Sequence, residues 1–377
     1  MIRKRIDEVD ILRGLAFLAV VLQHSLASFI YNPNISMYGA TASALLLNII
    51  RFAVPVFVFM TGFSLYYSER GISYIVFIKK KFMQIILPYM LWTLIYDILM
   101  FFIMGMKTKT IVAIVLEYIN YVFTGTGFYH LWYMILIIQF FVFYPVFKAL
   151  INKNYKFITN TIVLIIFLIV HMFLLYWYNF YAGAHYDLST GIIKKILGYS
   201  DRLFIMWMFY FVLGSYFAIY FERMKNILWK IRYISSIGFL ISLTYVMNFM
   251  IKTATTNDQG GYIINHFLGS PLNTIMFPLL FFSIIVLYPI SLYILNTKAK
   301  LGSLLIEIGK YSFGAYLIHA LILHYVNALI KICIPWLFIE ILVSFIIGSI
   351  ISIYIIKKLS NSSNPFILTL VGMRKRK

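Results

Sequence analysis

The chain has 377 residues, 62% of them hydrophobic and 12% charged, with a mean hydropathy of +0.90. Soluble domains carry about 25% charged residues, so an ordinary soluble enzyme is excluded. The 32 Lys and Arg against 12 Asp and Glu give a net charge of +20, but these cations fall between apolar segments and read as topology signals rather than as a nucleic-acid surface.

The predicted elements are all helical. Apolar windows long enough to cross a hydrocarbon core of roughly 30 Å recur at 11–30, 40–66, 82–104, 128–150, 157–181, 203–221, 233–251, 270–295, 311–330 and 333–356. The expected fold is therefore an all-α, polytopic transmembrane bundle of about ten spans. The first run holds Arg13, Gln23 and His24 and lacks a small-residue cleavage site after it, so it reads as a retained helix rather than a secretory signal. With the N-terminus in the cytoplasm, the inward segments hold 23 Lys and Arg and the outward ones 7. That bias predicts two cytoplasmic ends, an N-terminal one over about 1–10 and a basic tail over about 357–377. Residues 1–377 read as a single integral membrane domain, multi-pass in the plasma membrane. Cys333 is the one cysteine, which excludes an internal disulfide and a Cys-rich metal site. No internal repeat is visible, which weighs against a secondary transporter.

The informative residues are those that lipid excludes. Arg13 and His24 are eleven residues apart on the first helix, hence within about 20° of one face and about 16 Å from each other. One end of that stripe offers a permanent cation for a phosphate or carboxylate, the other an imidazole able to take a hydroxyl proton. The bland alternative is that Arg13 snorkels to the interface while His24 bonds a neighbouring helix. Arg51 falls within the second span, where an unpaired guanidinium costs on the order of 3 kcal/mol, so it needs a partner or a wet cavity. Pro55 follows it and can open the helix.

Next, Lys79, Lys80, Lys81 and Gln84 stand at the mouth of the third span, either gripping a polyanion or simply marking the cytoplasmic side. His130, Leu131, Trp132 and Tyr133 open the fourth span, as an interfacial aromatic belt or as the mouth where a sugar enters. His319 lies about eight residues into the ninth span, after Tyr311, Ser312, Gly314 and Tyr316. A histidine that deep is a functional candidate. His171 reads as a packed polar residue, and His324 is five residues beyond His319, on another face. No His pair has metal spacing at i,i+4, and H-E-x-x-H, Walker A and G-x-S-x-G patterns do not occur, so no metal is expected.

Together these residues resemble the acyltransferase-3 family of integral membrane O-acyltransferases, the branch that modifies bacterial surface polysaccharides. The Arg, ten residues, His pattern is met by Arg13 and His24 in "ILRGLAFLAVVLQHS". "RFAVPVFVFMTGF" from Arg51 to Phe63 is similar to the family's Arg-bearing second helix, with Thr61 in place of the usual serine. "HLWY" from His130, "FYFVLGSY" from Phe209 and "GKYSFGAYLIH" ending at His319 are similar to three further family segments. The resemblance departs at the third helix, where many members carry Arg-x-x-Arg and this chain has Lys81 and Gln84. Glutamine lacks the arginine fork.

The resemblance implies a catalytic group of His24, Arg13 and Arg51, with His24 as general base or acyl relay. It also implies a cytoplasmic donor site of Arg13, Lys80, Lys81 and Gln84, and an acceptor side of His130, Trp132, Tyr316 and His319. Acyl-CoA, as acetyl-CoA or succinyl-CoA, would be a donor substrate with no permanently bound cofactor. The acceptor would be a surface glycan or lipid-linked saccharide, with a separate glycan-assembly protein as a further partner and no nucleic acid. An exporter of polysaccharide without acyl-transfer chemistry is the alternative.

Overall fold

The computed structural model describes residues 6–30, 32, 35–68, 71–104, 110–182, 186, 188, 190–258, 260–333 and 337–373. The basic residues Arg3, Lys4, Arg5, Arg70, Lys107, Lys109, Arg374, Lys375, Arg376 and Lys377 used for topology, and His185, lie outside the described residues.

The described chain is helical apart from one two-stranded hairpin. Its principal helices are α1 (Asp7–Ser25), α2 (Met37–Ile50), α3 (Ala53–Tyr67), α4 (Tyr74–Lys81), α5 (Leu87–Met104), α6 (Ile111–Thr124), α7 (Trp132–Val142), α8 (Tyr144–Leu150) and α9 (Phe157–Trp177). They continue as α10 (Gly191–Gly198), α11 (Met208–Ile219), α12 (Phe221–Lys230), α13 (Arg232–Lys252), α14 (Phe277–Thr297), α15 (Ala299–Cys333), α16 (Leu337–Leu359) and α17 (Pro365–Leu370). Among the described residues seven helical segments are long and apolar enough to cross a membrane, or eight if α7 and α8 form one bent span. α1 lies outside that set because Asp7, Glu8, Asp10 and Arg13 crowd its first seven residues, and α11 because it has 12 residues.

Local chemistry explains where the helices depart from the predicted windows. The second span is a 31-residue rod interrupted at Arg51 and Phe52, between α2 and α3. Pro55 lacks an N–H and restrains the turn before it, so the regular ladder restarts beyond Arg51. Between α7 and α8 the axis bends by 56°, where Pro145 enters the first turn of α8. The third span starts at Tyr74 rather than 82 and passes through a wide π turn, Phe82–Ile86, before α5. α15 begins twelve residues before the predicted ninth span, because Glu307 and Lys310 ride on its surface rather than ending it. Glu307 pairs there with Lys357 at 2.5 Å.

Two helix pairs touch backbone to backbone. A Cβ on Gly309 of α15 would collide with the Asp10 carbonyl of α1, and one on Gly14 with the Leu305 carbonyl. Likewise a Cβ on Gly62 of α3 would strike the Phe211 carbonyl of α11, and one on Gly214 the Phe59 carbonyl. Where lipid removes the hydrophobic drive between helices, such close approach supplies the van der Waals contact that holds them. α1 also packs on α3, so the buried core runs through α1, α3, α11 and α15.

Candidate active site

Arg13 is held in place by two neighbours. Its Nη1 donates to Asp10 Oδ1 at 2.8 Å, and its Nη2 to Ser64 Oγ on α3 at 2.6 Å. The side chain stays 29% exposed, at the wall of a cavity of about 290 Å³ lined also by Thr61, Lys81, Tyr133, Ser312 and Tyr316. Lys81 Nζ sits 4.7 Å from the ring centroid of Phe141 and 5.7 Å from that of Phe77, a cation–π arrangement that steadies the charge without neutralising it.

A second cavity of about 510 Å³ lies beyond Lys81, lined by Lys80, Gln84, Tyr74, Tyr144 and Lys148. The two cavities share Leu65 and Lys81. Arg13, Lys80, Lys81 and Gln84, named from the sequence, are thus brought to one end of the bundle. Lys79 is exposed and lines neither cavity.

The other end of α1 meets histidines from two distant segments. The ring centroid of His24 is 5.4 Å from that of His319, which is 4.9 Å from that of His130. His130 sits in the turn before α7. Gly125, at φ +71°, ends α6 there, and a Cβ on it would lie 2.7 Å from Trp132 Cα. The Tyr316 hydroxyl donates to the His130 carbonyl, tying that turn to α15. His319 Nδ1 lies 2.6 Å from the Tyr316 carbonyl oxygen, so Nδ1 carries the proton in the neutral ring, and Nε2 has no hydrogen-bond partner among the described residues. Among the described residues no cluster of His, Cys, Asp or Glu is arranged to hold a metal ion.

Tyr316 joins the two halves. It lines the Arg13 cavity, and its ring centroid lies 5.2 Å from His130 and 5.6 Å from His319. Arg51, at the C-cap of α2, stands beyond the histidines as an electrostatic neighbour of both His24 and His266. Gln23 Nε2 donates to the Ile50 carbonyl at 2.6 Å, fixing that turn against α1. Outside the spans, burial first and the Arg51 charge second push the His266 imidazole below its ordinary value.

A model of the acyltransferase domain, the acyltransferase-3 type, matches residues 6–357. The chain belongs to the acyltransferase-3 family. It is 25% identical over 323 residues to a probable poly-β-1,6-N-acetyl-D-glucosamine export protein of Staphylococcus aureus strain MRSA252, covering 84% of this chain and 82% of the relative. The protein of that name in strain MSSA476 is 24% identical over the same lengths. No solved structure matches.

The family membership makes this a multi-pass membrane acyltransferase, and the chemistry it needs is compatible with the residues gathered along α1. Of the acceptor-side residues named from the sequence, Trp132 turns to other rings, packed on Trp207 at 6.2 Å and Tyr133 at 6.3 Å. Tyr129 stands beside His24 instead, with ring centroids 4.7 Å apart. Tyr129 and Ser64 are not legible as site residues in the sequence; adjacency to His130 is the only mark on Tyr129. His171 is buried against Phe209, Tyr210 and Phe277, away from this site.

Proposed function

We propose that this acyltransferase moves an acetyl group, or a succinyl group in its place, from acyl-CoA to a hydroxyl of a cell-surface or lipid-linked glycan. The names of the staphylococcal relatives point to a β-1,6-linked N-acetylglucosamine polymer as that glycan. The observation that carries the reading is the continuity through Tyr316 of a cation-lined cavity with a histidine cluster. Acyl-CoA has a polyanionic head and a thioester on a long arm, which suits two cavities meeting at Lys81. Lys80, Lys81 and Gln84 would hold the head, and Arg13 would anchor the arm in the narrower cavity.

In the proposed reaction His24 accepts the proton of the acceptor hydroxyl as its oxygen attacks the thioester carbonyl. Arg51 balances the developing oxyanion. The C–S bond then breaks, and the proton on His24 passes to the departing thiolate, giving an ester and free CoA. His319 and His130 position His24 and the acceptor. On the 23-to-7 bias of basic residues, both chain ends and the proposed donor cavities would face the cytoplasm. A separate glycan-assembly protein would deliver or receive the acceptor.

The export named for the relatives favours a second reading, in which the bundle moves glycan without esterifying it. Mass spectrometry of purified surface glycan before and after mild alkali, from wild-type, deletion and His24→Ala cells at matched protein level, separates the two. Loss of one ester mass in both mutants supports transfer and names the acyl group. Esters persisting in both, with glycan no longer reaching the surface, would overturn it in favour of export.

A further inference from the structure

At the His24 end of the bundle a cavity of about 560 Å³ lies between the chain following α1 and the loop that joins α13 to α14. Unlike the two cavities at the Arg13 end, it has no formally charged lining residue among the described residues. Asn32, Asn257, Tyr262, Asn265, His266 and Phe267 supply its polar and aromatic surface. Side-chain amides both donate and accept hydrogen bonds, as hydroxyl and acetamido groups do, and aromatic rings offer apolar faces to the C–H side of a sugar.

The wall is built rather than incidental. Thr255 and Thr256 pair antiparallel with Ile263 and Tyr262. Gly260, at φ +76°, makes the turn, closed by Asn257 N donating to the Gly261 carbonyl at 2.9 Å and Gly261 N donating to Asn257 Oδ1 at 2.7 Å. Tyr262 N donates to the Ile35 carbonyl at 2.9 Å, fastening the hairpin to the segment that leaves α1. Asn265 Oδ1 accepts from Phe267 N at 3.0 Å, so that the Phe267 side chain, 57% exposed, and Asn265 stand at the rim. His266 Nδ1 is buried and has no hydrogen-bond partner among the described residues.

We infer that this hairpin-walled cavity is a binding subsite for an uncharged or N-acetylated saccharide, positioned to feed the acceptor hydroxyl toward His24. Ile30 and Asn32, which line the cavity, follow directly on the end of α1 that carries His24. The subsite rests on the acyl-transfer reading only for the identity of its ligand as the acceptor.

The test is calorimetric titration of the purified full chain in nanodiscs with a β-1,6-linked N-acetylglucosamine pentamer, alongside its de-N-acetylated, cationic counterpart. Wild type should bind the acetylated pentamer at least tenfold more tightly than the cationic one. Asn265→Ala and Phe267→Ala, both rim changes, should weaken it about tenfold, while Lys79→Ala, an exposed change away from all three cavities, should leave it unchanged. Asn265→Gln, retaining the amide, should recover part of the loss, separating recognition from a folding defect. No binding by wild type, or equal binding by wild type and both rim variants, would overturn the subsite. Pentamer binding that falls in the rim variants, in a protein that never forms ester, would uphold the subsite and remove the transferase reading. Normal ester formation with an unchanged acceptor KM in both variants would do the reverse.

Discussion

Arg13 and His24 share one helix, yet their surroundings are made of different materials. Around Arg13 the chain gathers cations, an acid and hydroxyls, with Asp10 and Ser64 bonded to the guanidinium and Lys81 poised over aromatic rings. Around His24 it gathers rings: Tyr129, His319 and, one step on, His130. A charged site can grip an anion but holds water and counter-ions; a cluster of neutral rings excludes water and leaves a lone pair available for a proton. On the proposed reading a donor rich in phosphate and a neutral sugar would use those two environments in turn; eleven residues of helix keep them apart while Tyr316 connects them.

The comparison breaks most severely at His24. His24→Ala should lower transfer by 10²- to 10⁴-fold at unchanged protein abundance, the range for loss of a positioned base, read as ester per chain by mass spectrometry. If transfer persists, His319 Nε2 is the base, and His319→Gln becomes the decisive variant. At the opposite end, Arg13→Lys keeps the charge but cannot bond Asp10 and Ser64 together as a fork. The expected result is a donor KM raised about tenfold with little change in kcat; a large fall in kcat with an unaltered KM would move Arg13 into the chemical step. Tyr316→Phe removes the hydroxyl bonded to the His130 carbonyl, about 1 kcal/mol for a neutral hydrogen bond. Transfer should fall about fivefold while donor binding holds. Smallest of all, Gln84→Arg supplies the fork many family members have there and should tighten acyl-CoA binding a few-fold in an equilibrium binding assay.

The sequence made one half of this comparison readable and hid much of the other. Arg13 and His24 could be placed on one face because helical periodicity is local, and the Lys80, Lys81 and Gln84 group because it is contiguous. That His130 and His319 would close on His24 depends on how three segments far apart in the chain pack, which no spacing encodes. The break at Arg51 was half visible, through Pro55; its electrostatic reach to His266 was not, since His266 lies in a loop more than two hundred residues away. The ninth window, 311–330, is only part of α15, whose helix starts at Ala299 and carries Glu307 and Lys310 on its way. The uncharged cavity beside the hairpin left no mark in composition at all, because asparagines and aromatics in a loop are ordinary turn and interface residues.

The glycine contacts have a mechanical meaning. α1 is locked to α15 through Gly14 and Gly309, and α3 to α11 through Gly62 and Gly214, each pair with carbonyls pressed where a side chain would stand. Neither pair can slide without a backbone clash, so each moves as a plank. Between the planks the Arg13–Ser64 hydrogen bond is one stitch, and the narrower cavity opens along that seam, with Thr61 and Ser64 on one side and Arg13, Ser312 and Tyr316 on the other. On the proposed reading, a long, thin donor arm would be admitted by parting one seam, as a page is turned against its spine.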